Sequence, residues 1–244
     1  MERQDFVNDK LRLIQETDGL TFGTDALLLA GYISGKYKHG CEFGSGSGII
    51  SMLLITREKL CSTVALEVQE EYAELTRRNV SLTGLDEKIT TVNCDIRDYK
   101  PDVEFDIIYT NPPYMKTDSG KKNINEKKNI ARHEVCGDIY DFCKSAGRML
   151  KFGGCFAAVY RQDRLIDLID AMRKSKIEPK RITFVHADPD SEPSMALVEG
   201  KMGGRCGLVV TKPLIIYSDA SHKEYSADMN FIMENGSFPS AFKR

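Results

Sequence analysis

The apolar positions of this chain keep two alternating rhythms. Residues 40–43, 63–67, 89–93, 105–110 and 155–160 are short apolar-rich blocks, bounded by glycine, proline or charged residues. Blocks of this length fit strands covered on both faces. Between them, residues 49–57, 69–82, 138–150 and 162–173 carry apolar side chains at helical spacing. Ile139, Phe142, Ala146 and Met149 form the clearest set, and Thr83-Gly84 is a glycine exit from the helix before it. Strand and helix in alternation predict an α/β fold: a mostly parallel sheet of about seven strands or slightly more, with helices on both faces.

Residues 181–187, 194–199 and 208–217 predict further strands with short turns, an antiparallel edge. Residues 26–33 predict a helix within an N-terminal extension, 1–36, that packs on the core. Residues 218–244 are polar with few apolar anchors and predict a loosely packed tail. With no repeat and no long linker, the expectation is a single domain over 1–244, with its core at 37–217.

Composition narrows the class. Of 244 residues, 41% are apolar and 29% charged, ordinary for a soluble globular protein. No apolar run reaches the ~18 residues of a membrane span. The polar start, Met1-Glu2-Arg3, lacks a signal-peptide core, so the expected location is cytoplasmic. The seven cysteines are scattered, with no CxxC pair and no zinc-like cluster. They read as buried reduced thiols, and no metal is expected. A net charge of −2 argues against nonspecific coating of nucleic acid. One local basic segment stands out: Lys116, Lys121, Lys122, Lys127, Lys128 and Arg132 against Asp118 and Glu126.

Two motifs carry candidate chemistry. The first is Glu42-Phe43-Gly44-Ser45-Gly46-Ser47-Gly48, a glycine turn between a strand and a helix. Such a turn brings backbone and the free N–H groups of a helix start close to a ligand. Glu67 ends the next strand, 23 residues beyond Gly44, where a carboxylate can accept from ribose hydroxyls. The spacing GxGxG differs from the dinucleotide GxGxxG. An acid at Glu42 would repel a pyrophosphate but suits a cationic cofactor such as S-adenosylmethionine. A plain structural glycine turn is the alternative. Asp95, after the third strand, is either an adenine contact or a solvated loop acid.

The second motif is Asn111-Pro112-Pro113-Tyr114, which follows the strand 105–110 on the same rim. A ring-bound amine is a poor nucleophile because its lone pair is delocalised. Two acceptors, the Asn111 side-chain oxygen and the Pro112 carbonyl, can hold its two N–H bonds and aim the lone pair at a methyl donor. The prolines stiffen that frame, and Tyr114 can stack on a flat substrate. The alternative is a rigid turn that ends a strand.

Taken as a set, Glu42, Gly44, Gly46, Gly48, Glu67, Asp95 and Asn111 to Tyr114 resemble class I S-adenosylmethionine-dependent methyltransferases of the amino-methylating kind, a Rossmann-like fold. "IQETDGLTFGTDALLLAGYI", "ARHE", "LKFGGCF" and "EPSMALVEGKMGG" extend the resemblance to bacterial tRNA adenine-N6 methyltransferases that act beside the anticodon. That resemblance implies adenine-N6 methylation of tRNA at position 37, with S-adenosylmethionine as cofactor. It implies Thr24 and Asp25 over the methionine end of the cofactor, and Ser45 among the cofactor contacts. Lys116, Lys121, Lys122, Arg132 and His133 would border the substrate entrance and meet RNA phosphates, His133 as a hydrogen-bonding anchor; for each lysine, a place in a solvated polar loop is the alternative. A monomer or weak homodimer is expected. The same NPPY logic also serves a protein glutamine amide or an adenine in another nucleic acid. A binding protein that keeps the fold without catalysis belongs to another class.

Overall fold

A computed structural model describes residues 2–8, 11–16, 23–112 and 137–242 of the chain. It begins with an antiparallel hairpin that the apolar pattern does not announce, β1 (Glu2–Asn8) with β2 (Leu11–Glu16). Helix α1 (Thr24–Tyr32) follows. Then come β3 (Tyr37–Phe43), α2 (Ile49–Thr56), β4 (Leu60–Glu67), α3 (Glu70–Leu82), β5 (Ile89–Asn93) and β6 (Phe105–Thr110). After residue 137 the order is α4 (Ile139–Met149), β7 (Leu150–Arg161), α5 (Leu165–Lys174), β8 (Ile177–His186) and β9 (Pro193–Met202). Two short strands, β10 (Val209–Val210) and β11 (Leu214–Ile215), precede α6 (Ala227–Asn235).

The main sheet runs β10-β8-β9-β7-β6-β3-β4-β5, and β11 also pairs with β8. Strands β5, β4, β3, β6 and β7 are parallel neighbours, while β9 runs antiparallel between β7 and β8. The chain therefore steps outward from β3 to β4 and β5, then returns to the other side of β3 as β6. That reversal is a topological switch point, and in such sheets ligands bind in the crevice past the carboxyl ends of the strands on either side, here β3 and β6. The ends are level: Phe43 pairs with Thr110. Thr110 Oγ1 also donates to Phe43 O at 2.9 Å, tying the two strand ends together.

Each face of the sheet has its own core. One holds Leu28 and Leu29 of α1, Met52 and Leu53 of α2, Val80 of α3, and the hairpin's Leu11 and Leu13. The other holds Phe43, Phe105, Phe142, Met149 and Phe156 under α4 and α5. The apolar stripe read from the sequence in α4 is the buried one, and Asp138 and Asp141 close its start as a reciprocal capping box.

Three expectations change. Residues 208–217 form not one antiparallel strand but two short pieces, both parallel to β8. Pro213 lies between them and has no N–H with which to continue a ladder. The tail is not loosely packed. Met229 and Ile232 of α6 are buried, and Phe238 and Phe242 join the core beside Tyr32. Tyr32–Phe238 and Phe238–Phe242 make edge-on ring contacts, each at 5.3 Å. Buried Arg181 locks that end in place, donating to Phe242 O and Tyr32 O, both at 2.8 Å, and pairing with Glu199. Finally, the cysteines are not uniformly buried: Cys41 and Cys143 are, Cys94 and Cys155 are intermediate, and Cys61 and Cys206 are exposed. Cys136 lies outside the described residues.

Candidate active site

The glycine turn leaves β3 through the switch point. Gly44 N and Ser45 N donate to Leu66 O of the neighbouring strand at 2.9 and 3.0 Å. Gly44 has φ of 69°, and a Cβ built there would meet nothing within 4 Å, so open space lies against the backbone. Gly48, at φ 80°, is different: a Cβ would come within 2.9 Å of Thr76 Cγ2. One face of α3 supports the turn. Thr76 Oγ1 donates to Gly46 O at 2.8 Å and lies 3.2 Å from Ser45 Oγ. Asn79, fully buried one helical step on, donates to Ser47 O at 3.0 Å.

Glu42 is placed beneath the turn. It is 1% exposed, and its carboxylate accepts from Ser51 N at 3.1 Å and from Ser51 Oγ. The N–H groups at the start of α2 thus receive an acid, as helix polarity favours. Ser51 Oγ also lies 2.7 Å from the hydroxyl of Tyr109, which reaches Thr63 Oγ1 at 3.0 Å. Burial pushes the Glu42 carboxyl up to about 8, against the hydrogen bonds from Ser51. A cation brought near it would favour the ionised form.

Glu67 ends β4 with its side chain buried. One carboxylate oxygen accepts from Gly46 N and the other from Gln69 N, both at 3.0 Å. Burial raises its proton affinity, opposed by those backbone donors. The turn and the end of β4 are therefore one hydrogen-bonded unit. Asp95 is engaged differently. Its carboxylate accepts from Arg97 N at 2.8 Å and Arg97 Nε at 2.9 Å, and the Arg97 side chain holds its acid below the usual range.

Across the crevice, Asn111 follows the end of β6 and Pro112 after it is buried. Asn111 Nδ2 donates to Asp25 Oδ2 at 2.9 Å, joining the strand end to the start of α1, where Thr24 is the first helical residue. Among the described residues, Asn111 Oδ1 is the only buried side-chain polar atom without a hydrogen-bond partner. A buried acceptor left unmade is costly and calls for a donor that the described residues do not supply. Pro113, Tyr114, Lys116, Lys121, Lys122, Arg132 and His133 lie outside the described residues.

The structure thus brings Gly44, Ser45, Gly46, Gly48, Glu67, Asp25 and Asn111 to one rim and sets Glu42 below it. Sequence reasoning missed Ser51, Thr76 and Asn79. Spacing of three on α3 could have marked Thr76 and Asn79 as one polar stripe on a buried face. Nothing local marks Ser51. Among the described residues, no group of His, Cys, Asp or Glu is placed to hold a metal ion.

Residues 17–167 match the family model described as the methyltransferase small domain. A tRNA1(Val) (adenine(37)-N6)-methyltransferase of Phocaeicola vulgatus is 31% identical over 182 residues, covering 73% of this chain and 76% of the relative. A protein of the same name from Parabacteroides distasonis is 27% identical, covering 72% and 75%. Among solved structures, a predicted O-methyltransferase of Agrobacterium tumefaciens superposes with a TM-score of 0.70 at 21% identity, covering 88% of this chain and 98% of that one. A methyltransferase of Pyrococcus furiosus gives 0.58 at 19% identity, covering 80% and 90%. These two share the fold. The family match spans more than half of the chain, including the glycine turn, Glu67 and Asn111. The chain belongs to the methyltransferase small-domain family.

Proposed function

We propose that this chain transfers a methyl group from S-adenosylmethionine to the N6 amino group of an adenine in tRNA, at position 37 beside the anticodon, the position in its relatives' names. The observation that carries the chemistry is the buried, unpartnered Asn111 Oδ1 across the crevice from the glycine turn. The relatives' names support the choice of RNA and of base.

The residues present fit the cofactor. Open space lies against Gly44, and Glu67, fixed at the end of β4, would accept from ribose hydroxyls. Thr24 and Asp25 would face the methionine end. When bound, S-adenosylmethionine would supply an electrophilic methyl carbon on a sulfonium, the carbon–sulfur bond breaking on transfer to leave the neutral thioether, S-adenosylhomocysteine. Asn111 Oδ1 and the Pro112 carbonyl accept the two N–H bonds of the adenine amine, which turns its lone pair out of conjugation and toward that carbon. The two oxygens also stabilise the positive charge that grows on nitrogen during transfer. A proton then leaves the methylated amine for water. Tyr114 stacks on the extruded base, and the segment with Lys116, Lys121, Lys122, Arg132 and His133 meets the RNA backbone. An anticodon-loop purine is already single-stranded, so extrusion costs little. This reading puts the enzyme in the cytoplasm, acting on RNA as a monomer or weak homodimer.

The test uses tRNA from a strain deleted for this gene and cofactor labelled in the methyl group. Nucleoside mass spectrometry should find labelled N6-methyladenosine at position 37. Label in a protein amide, or in an RNA other than tRNA, would overturn the choice of substrate.

A further inference from the structure

We propose that Asp25 is a positioning residue, which locks the Asn111 side chain so that its oxygen, not its nitrogen, faces the substrate amine. The inference rests on the reading of Asn111 as an acceptor for that amine.

An amide has two nearly isosteric ends, and only one accepts. If Asn111 turned over, its NH2 would point at the amine and the two N–H faces would oppose each other. Something must choose the orientation. A carboxylate without its proton can only accept, so the end of Asn111 that faces Asp25 Oδ2 at 2.9 Å has to be the nitrogen. Turning the amide over would set oxygen against oxygen. The free end is then the oxygen, and Asn111 Oδ1 is the buried atom without a partner.

The lock is itself held. Asp25 Oδ1 accepts from Ala26 N at 2.9 Å, so one oxygen is tied to the first turn of α1 and the other to Asn111. The helix start favours a negative charge there. Gly23 leaves the room: a Cβ on it would fall 2.6 Å from Asp25 Oδ1. A side chain at position 23 would push that carboxylate oxygen aside. The N-terminal extension thus reaches 86 residues along the chain to set the orientation of the catalytic amide.

The experiment exchanges the pair. Asn111→Asp alone faces two carboxylates and removes the donor, and kcat on tRNA should fall at least ~100-fold. Asp25→Asn alone allows both amide orientations and should lower kcat at saturating cofactor by about tenfold, whatever it does to the cofactor KM. In the double variant Asp25→Asn/Asn111→Asp, the new amide donates to the new carboxylate, whose second oxygen still faces the amine. It should recover at least ~10-fold over Asn111→Asp. Melting temperatures of all three confirm folding. A double variant no better than Asn111→Asp would overturn the lock, as would an Asp25→Asn enzyme with kcat unchanged at saturating cofactor.

A second measurement needs no substrate. The Asn111 side-chain amide signal, identified by its loss in Asn111→Asp, should exchange slowly with solvent in the wild type and fast in Asp25→Ala. Equal exchange in the two overturns the lock. If the wild type leaves tRNA unmodified while this protection holds, the proposed substrate fails and the lock stands.

Discussion

Asn79 clasps the backbone of Ile14 with both ends of its amide: Oδ1 accepts from Ile14 N at 2.7 Å, and Nδ2 donates to Ile14 O at 3.1 Å. The same Nδ2 donates to Ser47 O of the glycine turn at 3.0 Å. One buried side chain therefore ties the N-terminal hairpin to the loop that would cradle the cofactor. Asn79→Ala strands the partners it leaves and should cost about 2–4 kcal/mol by chemical denaturation. The amide of Ile14 should lose its hydrogen-exchange protection, and the cofactor Kd should rise. A variant with unchanged protection at Ile14 would show that the hairpin docks through its apolar residues alone.

Asn111→Ala deletes the free acceptor without touching the glycine turn. We expect kcat to fall by roughly 10²–10³, with the cofactor Kd changing only a few-fold. Isothermal titration for the cofactor beside steady-state kinetics on tRNA separates the two effects. A large loss of cofactor binding would place Asn111 in ground-state binding instead.

Glu42 predicts a pH dependence of stability. Burial raises its carboxyl from an ordinary 4.5 to about 8. Because the folded value lies above the unfolded one, its favourable contribution is complete below about pH 4.5 and is lost as pH rises through about 8. Glu42→Gln removes that titration and keeps an acceptor for Ser51. Its melting temperature relative to the wild type should climb across that window and level off above it. Parallel melting curves at all pH values would mean that the carboxyl titrates normally.

Gly48 has two separable constraints. Gly48→Ala places a side chain at φ 80° and 2.9 Å from Thr76 Cγ2. The expected cost is about 1–3 kcal/mol, with a raised KM for the cofactor. Adding Thr76→Ser removes the methyl group and keeps the hydroxyl that bonds Gly46 O. The double variant should regain part of the loss, and the remainder measures the backbone strain.

Arg181 is 5% exposed, with its guanidinium against Glu199 and 3.8 Å from the Tyr32 ring centroid. Arg181→Met leaves Glu199, only partly exposed, without that cation and should destabilise by about 3–5 kcal/mol. Glu199→Gln in that background should restore part of it. Limited proteolysis should then cut within residues 236–242 in the single variant first, because Phe242 O loses its donor.

The C-terminal segment shows where reading by pattern stops. Met229, Ile232, Phe238 and Phe242 are too sparse among polar neighbours to signal a packed element, yet all four are buried. Their burial depends on Tyr32 and Arg181, which are far away in sequence. Likewise 208–217 is apolar enough for a strand. Only the presence of β8 beside it, and Pro213 within it, decided that it pairs in two short parallel pieces.

Strand ends, the glycine turn, Glu67 and the place of Asn111 and Pro112 after a strand are local facts of chain order, and the sequence alone determined them. An apolar run followed by Gly44 or by Asn111 ends where its residues can no longer continue a ladder or must turn. The meeting of those ends on one rim follows from the strand alternation. Which atom of Asn111 is free to act is not local. It was decided by Asp25, which the fold carries from the start of α1 to within hydrogen-bond distance. The same holds for Asn79 on Ile14 and Ser51 on Glu42. A hydrogen bond is made between groups that the whole fold brings together, and no spacing along the chain records it.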